Sequence, residues 1–217
     1  MDNENKLSIR LPRTILRRAR EWHINRDLSA CGLSNASKIH TFTHKEELAA
    51  LYNLAAQLPD GARVLEIGSY LGASTCYLAA GLRGRKASIV CVDTWENQTM
   101  PDGVRDTFAE FKVNTKGVEH LITTIRKRSD QVAAAELGAP YDLIFLDGDH
   151  SYAATKKDFE LAAQVLAPDG VLAFHDSRCF QGVSRVIGEI LATGDWSLGG
   201  ITQNFSWLTR QQFEHFQ

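Results

Sequence analysis

Four apolar runs punctuate the middle of the chain, and each stops at an acid or a glycine turn. Val64-Leu65-Glu66-Ile67 leads into Gly68, and Ile89-Val90-Cys91-Val92 stops at Asp93. Leu143-Ile144-Phe145-Leu146 stops at Asp147-Gly148-Asp149-His150, and Val171-Leu172-Ala173-Phe174 at His175-Asp176. Short continuous apolar runs of this kind read as strands buried on both faces of a parallel sheet. Helical spacing over residues 72–82, 104–113, 130–137, 152–166 and 183–191 separates them, with one further strand near 121–125. Alternation of strand and helix predicts an α/β, Rossmann-like, doubly wound fold with right-handed crossovers and helices on both faces of a mostly parallel sheet. The end of the chain differs: residues 195–198, the pair Gly199-Gly200 and residues 201–208 read as an antiparallel hairpin turning at the glycines.

Ahead of the first strand, Thr43 and Glu46 match a capping box. Leu48, Leu51, Leu54 and Ala55 continue at helical spacing until Pro59-Asp60-Gly61 stops the helix. Residues 1–40 look separate, because Arg10, Arg13, Arg17, Arg18 and Arg20 interleave with Leu11, Ile15, Leu16 and Trp22 in a basic amphipathic pattern. The expected organisation is an N-terminal helical segment over 1–40, either packed on its own domain or serving as a lid or dimer arm, followed by a catalytic domain over 41–217.

Composition narrows the field. A chain of 217 residues with 44% hydrophobic content suits one domain or one domain plus a small appendage. A net charge of -2 carries no electrostatic footprint for nucleic acid. Cys31, Cys76, Cys91 and Cys179 lack metal-ligand spacing and read as reduced thiols. No apolar run reaches the length of a membrane span, and the polar start lacks the core of a signal peptide, so a cytoplasmic enzyme with a small substrate is expected.

Glycines at 68 and 72 let the backbone after the first strand turn tightly and approach a ligand, and Asp93, about 20 residues on, is placed to accept two ribose hydroxyls. A nicotinamide-dependent oxidoreductase shares that logic, but Gly68 and Gly72 have the wrong spacing for Gly-x-Gly-x-x-Gly. Taken together, Glu66-Ile67-Gly68-Ser69-Tyr70-Leu71-Gly72, Asp93-Thr94-Trp95, Asp147-Gly148-Asp149-His150-Ser151-Tyr152, Pro168-Asp169-Gly170 and His175-Asp176 resemble a class I S-adenosylmethionine-dependent methyltransferase. The nearest branch includes metal-dependent sugar O-methyltransferases and cephalosporin-hydroxylase-like proteins. That resemblance implies a seven-stranded sheet ending in an antiparallel hairpin, with S-adenosylmethionine held by Glu66, Gly68, Ser69, Tyr70, Gly72, Ser74, Asp93, Thr94, Trp95, Ser129 and Asp147. Tyr70 stands where the family often has a glycine. Trp95 either lines the adenine pocket or packs a helix, and Ser129 matches the place of an adenine contact.

In the implied fold Asp147 and Asp176 end neighbouring strands about 4.8 Å apart. Two such carboxylates repel unless a proton or cation lies between them, and a divalent ion, Mg2+ first, is the expected solution. Family members carry an acid pair or an Asp-Asn pair after the fifth strand. Here the pair is His175-Asp176, so His175 is a third ligand, a base, or a group that orients Asp176. His150 is the expected general base, with Asp149 its competitor. A metal-free alternative has Asp147 and Asp149 capping the helix near Tyr152. The expected function is methyl transfer to a hydroxyl of a small molecule, in a monomer or homo-oligomer without nucleic-acid or membrane partners. A non-catalytic cofactor-binding or scaffold protein of the same fold is the alternative from another class.

Overall fold

A computed structural model describes residues 13–98, 103–138 and 140–211. Helix α1 (Arg13–Ala30) and α2 (Lys45–Ala55) precede β1 (Arg63–Ile67), α3 (Ala73–Gly81) and β2 (Ser88–Asp93). Helix α4 (Phe108–Asn114), β3 (Ile122–Arg126), α5 (Ala134–Leu137), β4 (Tyr141–Leu146), α6 (Tyr152–Val165) and β5 (Leu166–Phe174) continue the alternation. Helix α7 (Gln181–Ala192) and the strands β6 (Trp196–Thr202) and β7 (Phe205–Arg210) complete it. The seven strands lie in the order β3-β2-β1-β4-β5-β7-β6. Every pair from β3 to β5 is parallel, and β7 runs antiparallel to both β5 and β6.

Strand periodicity sorts side chains onto two cores. Val64, Ile89, Cys91, Leu143 and Phe145 face α1, α2 and α3, while Leu65, Val90, Val92, Ile144 and Leu146 face α5, α6 and α7. Helix α7 is a clear case of the matching helical stripe: Val183, Val186, Ile187 and Ile190 are buried at i, i+3, i+4, i+7 spacing. Each buried side chain contributes roughly 1.5–3 kcal/mol of transfer free energy.

Three sequence expectations need correcting. The capping box sits one residue later than predicted, because His44 is the N-cap and its N–H donates to Glu47 Oε2 at 2.8 Å. The hairpin turns at Gln203-Asn204, where Gln203 takes a positive φ of 52°, and Gly199-Gly200 lie inside β6 at a shift in register. A Cβ at either glycine would run into the Trp207 indole, so the pair serves as a floor for that ring. The helix expected over 130–137 is a 3-10 turn (Ser129–Gln131) followed by the single turn α5. The N-terminal segment packs on the rest of the chain, since Ile24, Leu28, Leu33 and Ala36 are buried with α2 and α3. Asp27 strengthens that junction by accepting from Tyr52 Oη at 2.6 Å and Arg83 Nε at 3.2 Å. The expected amphipathic residues Arg10 and Leu11 lie outside the described residues.

Candidate active site

The carboxyl ends of β1, β2, β4 and β5 meet along one edge of the sheet, where ligands bind in open α/β folds. At the first, Gly68 has φ 87°, and a Cβ there would collide with the Asp147 carbonyl at the end of β4. Only glycine lets the two strand ends pack so closely. Asp93 Oδ2 accepts the Ser69 and Tyr70 amides, each at 2.8 Å, and its Oδ1 accepts the Trp95 amide at 2.7 Å. A carboxylate has about four accepting positions, and three of those of Asp93 are taken by backbone amides.

Glu66 is fully buried. Its Oε2 accepts Ser69 Oγ at 2.7 Å and Thr75 Oγ1 at 2.5 Å, so hydroxyls of the loop and of the first turn of α3 hold it. Burial pushes its carboxyl above the usual carboxylate range against those hydrogen bonds. Oε1 is buried with no partner. An orphaned buried acceptor is costly, and the ammonium end of an amino-acid-like cofactor is a group that would satisfy it. The Trp95 indole is fully buried against Phe108 and Phe111, with ring centroids 4.8 and 4.9 Å away, so it packs α4. Tyr70 points the other way, 6.2 Å from His40 and 6.1 Å from Phe42 between ring centroids. This aromatic rim was not apparent from the sequence. Gly72 is the N-cap of α3, and Ser74 and Thr75 are buried in its first turn. The Thr94 hydroxyl accepts the Glu96 amide at 3.2 Å. Ser129 lies at the end of β3, hydrogen-bonded to the buried Asp158.

The second half of the edge brings Asp147, His150, His175 and Asp176 together, one ligand atom from each lying within 4.8 Å of all the others. His175 Nδ1 is 3.0 Å from Asp147 Oδ1 and 3.4 Å from Asp176 Oδ2, and His150 Nε2 is 2.7 Å from Asp176 Oδ2. Each imidazole has its other nitrogen anchored. His150 Nδ1 faces the Gly148 carbonyl at 2.9 Å, which only an N–H can satisfy. His175 Nε2 faces Glu47 Oε2 at 3.0 Å, and Nδ1 makes no hydrogen bond despite its closeness to Asp147. Two rings held as donors on the outside, with their remaining nitrogens turned toward two carboxylates, form a donor set that suits a divalent cation. An imidazole among the ligands favours Mn2+ or Fe2+ over the Mg2+ expected from sequence.

The electrostatics follow from this crowding. Burial alone would lower His175, but Asp147, Asp176 and Glu47 together carry it to about 12. Burial raises Asp147 above the usual range, opposed by His175 and reinforced by Asp176. For Asp176, burial is outweighed by the neighbouring His175 imidazole and by a hydrogen bond from Cys179, whose Sγ is 2.9 Å from Oδ1, and the carboxyl is held low. Asp176 also takes a positive φ of 53°, a strained conformation of the sort that collects at functional sites. Asp149 is exposed, outside the cluster, and accepts the Ser151 amide at 2.8 Å beside the α6 N-cap. Neither acid of the helix-capping alternative is the N-cap of α6, which is Ser151, its hydroxyl accepting the Ala154 amide at 3.3 Å. Sequence reasoning missed Glu47, Cys179 and Phe180, whose ring meets His150 edge-on at 4.5 Å.

Solved structures with this architecture include the O-methyltransferase NovP, 12% identical with a TM-score of 0.70, covering 90% of this chain and 99% of that one. TomG, an O-methyltransferase of Streptomyces achromogenes involved in tomaymycin synthesis and solved in complex with S-adenosylmethionine, is 20% identical with a TM-score of 0.63, covering 86% and 90%. A Staphylococcus aureus protein described as a caffeoyl-CoA O-methyltransferase is 14% identical with a TM-score of 0.66, covering 91% and 98%. At such identities the likeness is one of fold. A family model described as a methyltransferase domain matches residues 65–177, from β1 through the glycine loop to the end of β5 and just over half of the chain. The match takes in both halves of the strand-end site, and the chain belongs to that methyltransferase family.

Proposed function

We propose that the protein moves a methyl group from S-adenosylmethionine to a hydroxyl of a small molecule, with a divalent cation on Asp147, His175 and Asp176. The observation that carries this reading is the cluster of four ligand atoms within 4.8 Å, set beside the glycine loop across the Gly68–Asp147 contact. The S-adenosylmethionine complex of TomG supports the choice of cofactor. When bound, the cofactor supplies a methyl group already activated at sulfur, and the cation acidifies the acceptor hydroxyl. The chain's own residues supply placement and proton transfer. Glu66 Oε1 accepts from the cofactor's ammonium, and Asp93 fixes the loop amides of Ser69 and Tyr70. His150, held through Nδ1 by Gly148, takes the acceptor's proton at Nε2. Asp149 is the weaker base candidate because its carboxylate is engaged at the start of α6.

A net charge of -2 favours a small acceptor over nucleic acid. Among the described residues no helix is long and apolar enough to cross a membrane. The stretch of α1 up to Trp22, which is 60% exposed, serves in this reading as a lid or a dimer arm. Isothermal titration with adenosylhomocysteine and with NAD tests the cofactor. Binding of the first alone is expected, and NAD binding without a response to adenosylhomocysteine would refute the methyltransferase mechanism.

A further inference from the structure

Glu47 is the one acid of α2 that is fully removed from water, although an exposed acid at the third helical position would cap the helix equally well. Its two oxygens are spent on three donors, one local and two from distant parts of the chain. Oε2 accepts the His44 amide at 2.8 Å and faces His175 Nε2 at 3.0 Å, across 128 residues of sequence. Oε1 accepts the Asn204 amide at 2.7 Å, at the turn between β6 and β7. The backbone donors fix the carboxylate from two sides, so His175 is what adapts to it. A ring whose Nε2–H is committed to Glu47 has to present Nδ1 to Asp147 and Asp176.

We infer that Glu47 is a positioning residue for the cation site, selecting the His175 tautomer and ring orientation that turn Nδ1 toward the ion. The inference rests on the metal reading proposed above, and it assigns a task to a residue of α2, outside the strand ends that carry the ligands. Carboxylates in this position behind a ligating imidazole typically govern metal affinity by about 10–100-fold. The carboxylate makes no contact with the glycine loop, so the cofactor half is expected to be indifferent to it.

The test uses the full chain with Mn2+ as the probe, free ion being counted by its paramagnetic resonance signal. E47Q is expected to weaken Mn2+ binding by about 10–100-fold while adenosylhomocysteine affinity stays within about twofold, which also shows that the variant is folded. E47D, whose carboxylate is withdrawn by one methylene, should lie between. In the Zn2+-loaded wild type, nitrogen-15 shifts should show a protonated Nε2 and a ligated Nδ1 on His175, a pattern lost in E47Q. A purely structural role for Glu47 would not move that pattern. Wild-type Mn2+ affinity in folded E47Q or E47D, or an unchanged His175 spectrum, overturns the inference alone. A wild-type protein that holds neither ion overturns the metal reading together with it.

Discussion

Glu66 and Asp93 spend their carboxylate oxygens on partners no more than 25 residues away, whereas His175 is steadied by Glu47 across 128 residues. The first pair belongs to the β1–α3–β2 unit and needs little else to take shape. The second depends on α2, β4, β5 and the β6–β7 turn all being in place. Cofactor binding and acceptor chemistry are therefore separable by mutation, although they share an edge of the sheet. Each variant below tests whether that separation holds.

The largest effect is expected for Asp176→Ala. Turnover should fall below detection and Mn2+ binding should be lost, while adenosylhomocysteine affinity measured by titration stays nearly intact. Excess chelator should reproduce the loss reversibly, and full activity in chelator would remove the cation from the mechanism. His150→Ala should lower turnover by about 10²–10⁴-fold, again without weakening the cofactor. On the other side of the divide, Asp93→Ala should weaken adenosylhomocysteine binding by about 1–3 kcal/mol, because the Ser69 and Tyr70 amides lose their acceptor along with any ribose hydroxyl. If that variant also abolishes Mn2+ binding, the two halves are one cooperative unit.

The smallest effect concerns Asp158, buried on α6 where the halves adjoin, beside Ser129 and close to Gly148. Burial pushes its carboxyl up to about 6, with Asp149 and Asp130 adding to the rise and Ser129 and Arg128 opposing it. A raised folded-state pKa means that the native protein holds this proton more tightly than the unfolded chain does. The penalty for ionising it is absent below about pH 4, develops between about pH 4 and 6, and is complete above. Asp158→Asn should therefore be more stable than the parent at pH 8 by about 1–3 kcal/mol, and equal to it near pH 3.5. Denaturant unfolding at the two pH values measures the difference.

The same contrast explains what could be read from the chain. The parallel core, the glycine loop and the strand-end acids are written in local patterns: apolar runs, a breaker, an acid, each within a dozen residues. Where tertiary contacts decide, the local pattern misled. Thr43/Glu46 is the better capping pair by residue type, yet His44/Glu47 is the pair that forms, with Glu47 also meeting His175 and Asn204. Gly199-Gly200 has the chemistry of a turn, but the Trp207 indole claims it as a flat surface. Trp95 could face either way until Phe108 and Phe111 are seen to enclose it. One signal for Glu47 was present all the same: Glu47, Leu51 and Ala55 follow at intervals of four, which sets a charged residue on the buried stripe of α2. A charge on an apolar stripe asks for a buried partner, and no local pattern says where in the chain it will be.

Close contact between Gly68 and the Asp147 carbonyl also bears on how such an enzyme can change over generations. Any side chain at 68 would push on the backbone that carries a ligand of the proposed cation site, so position 68 is held to glycine. Variation is channelled outward, to His40, Phe42 and Tyr70, whose rings meet at the rim. A lineage, or a laboratory library, that randomises those three positions can sample new acceptors while the inherited chemistry stays fixed.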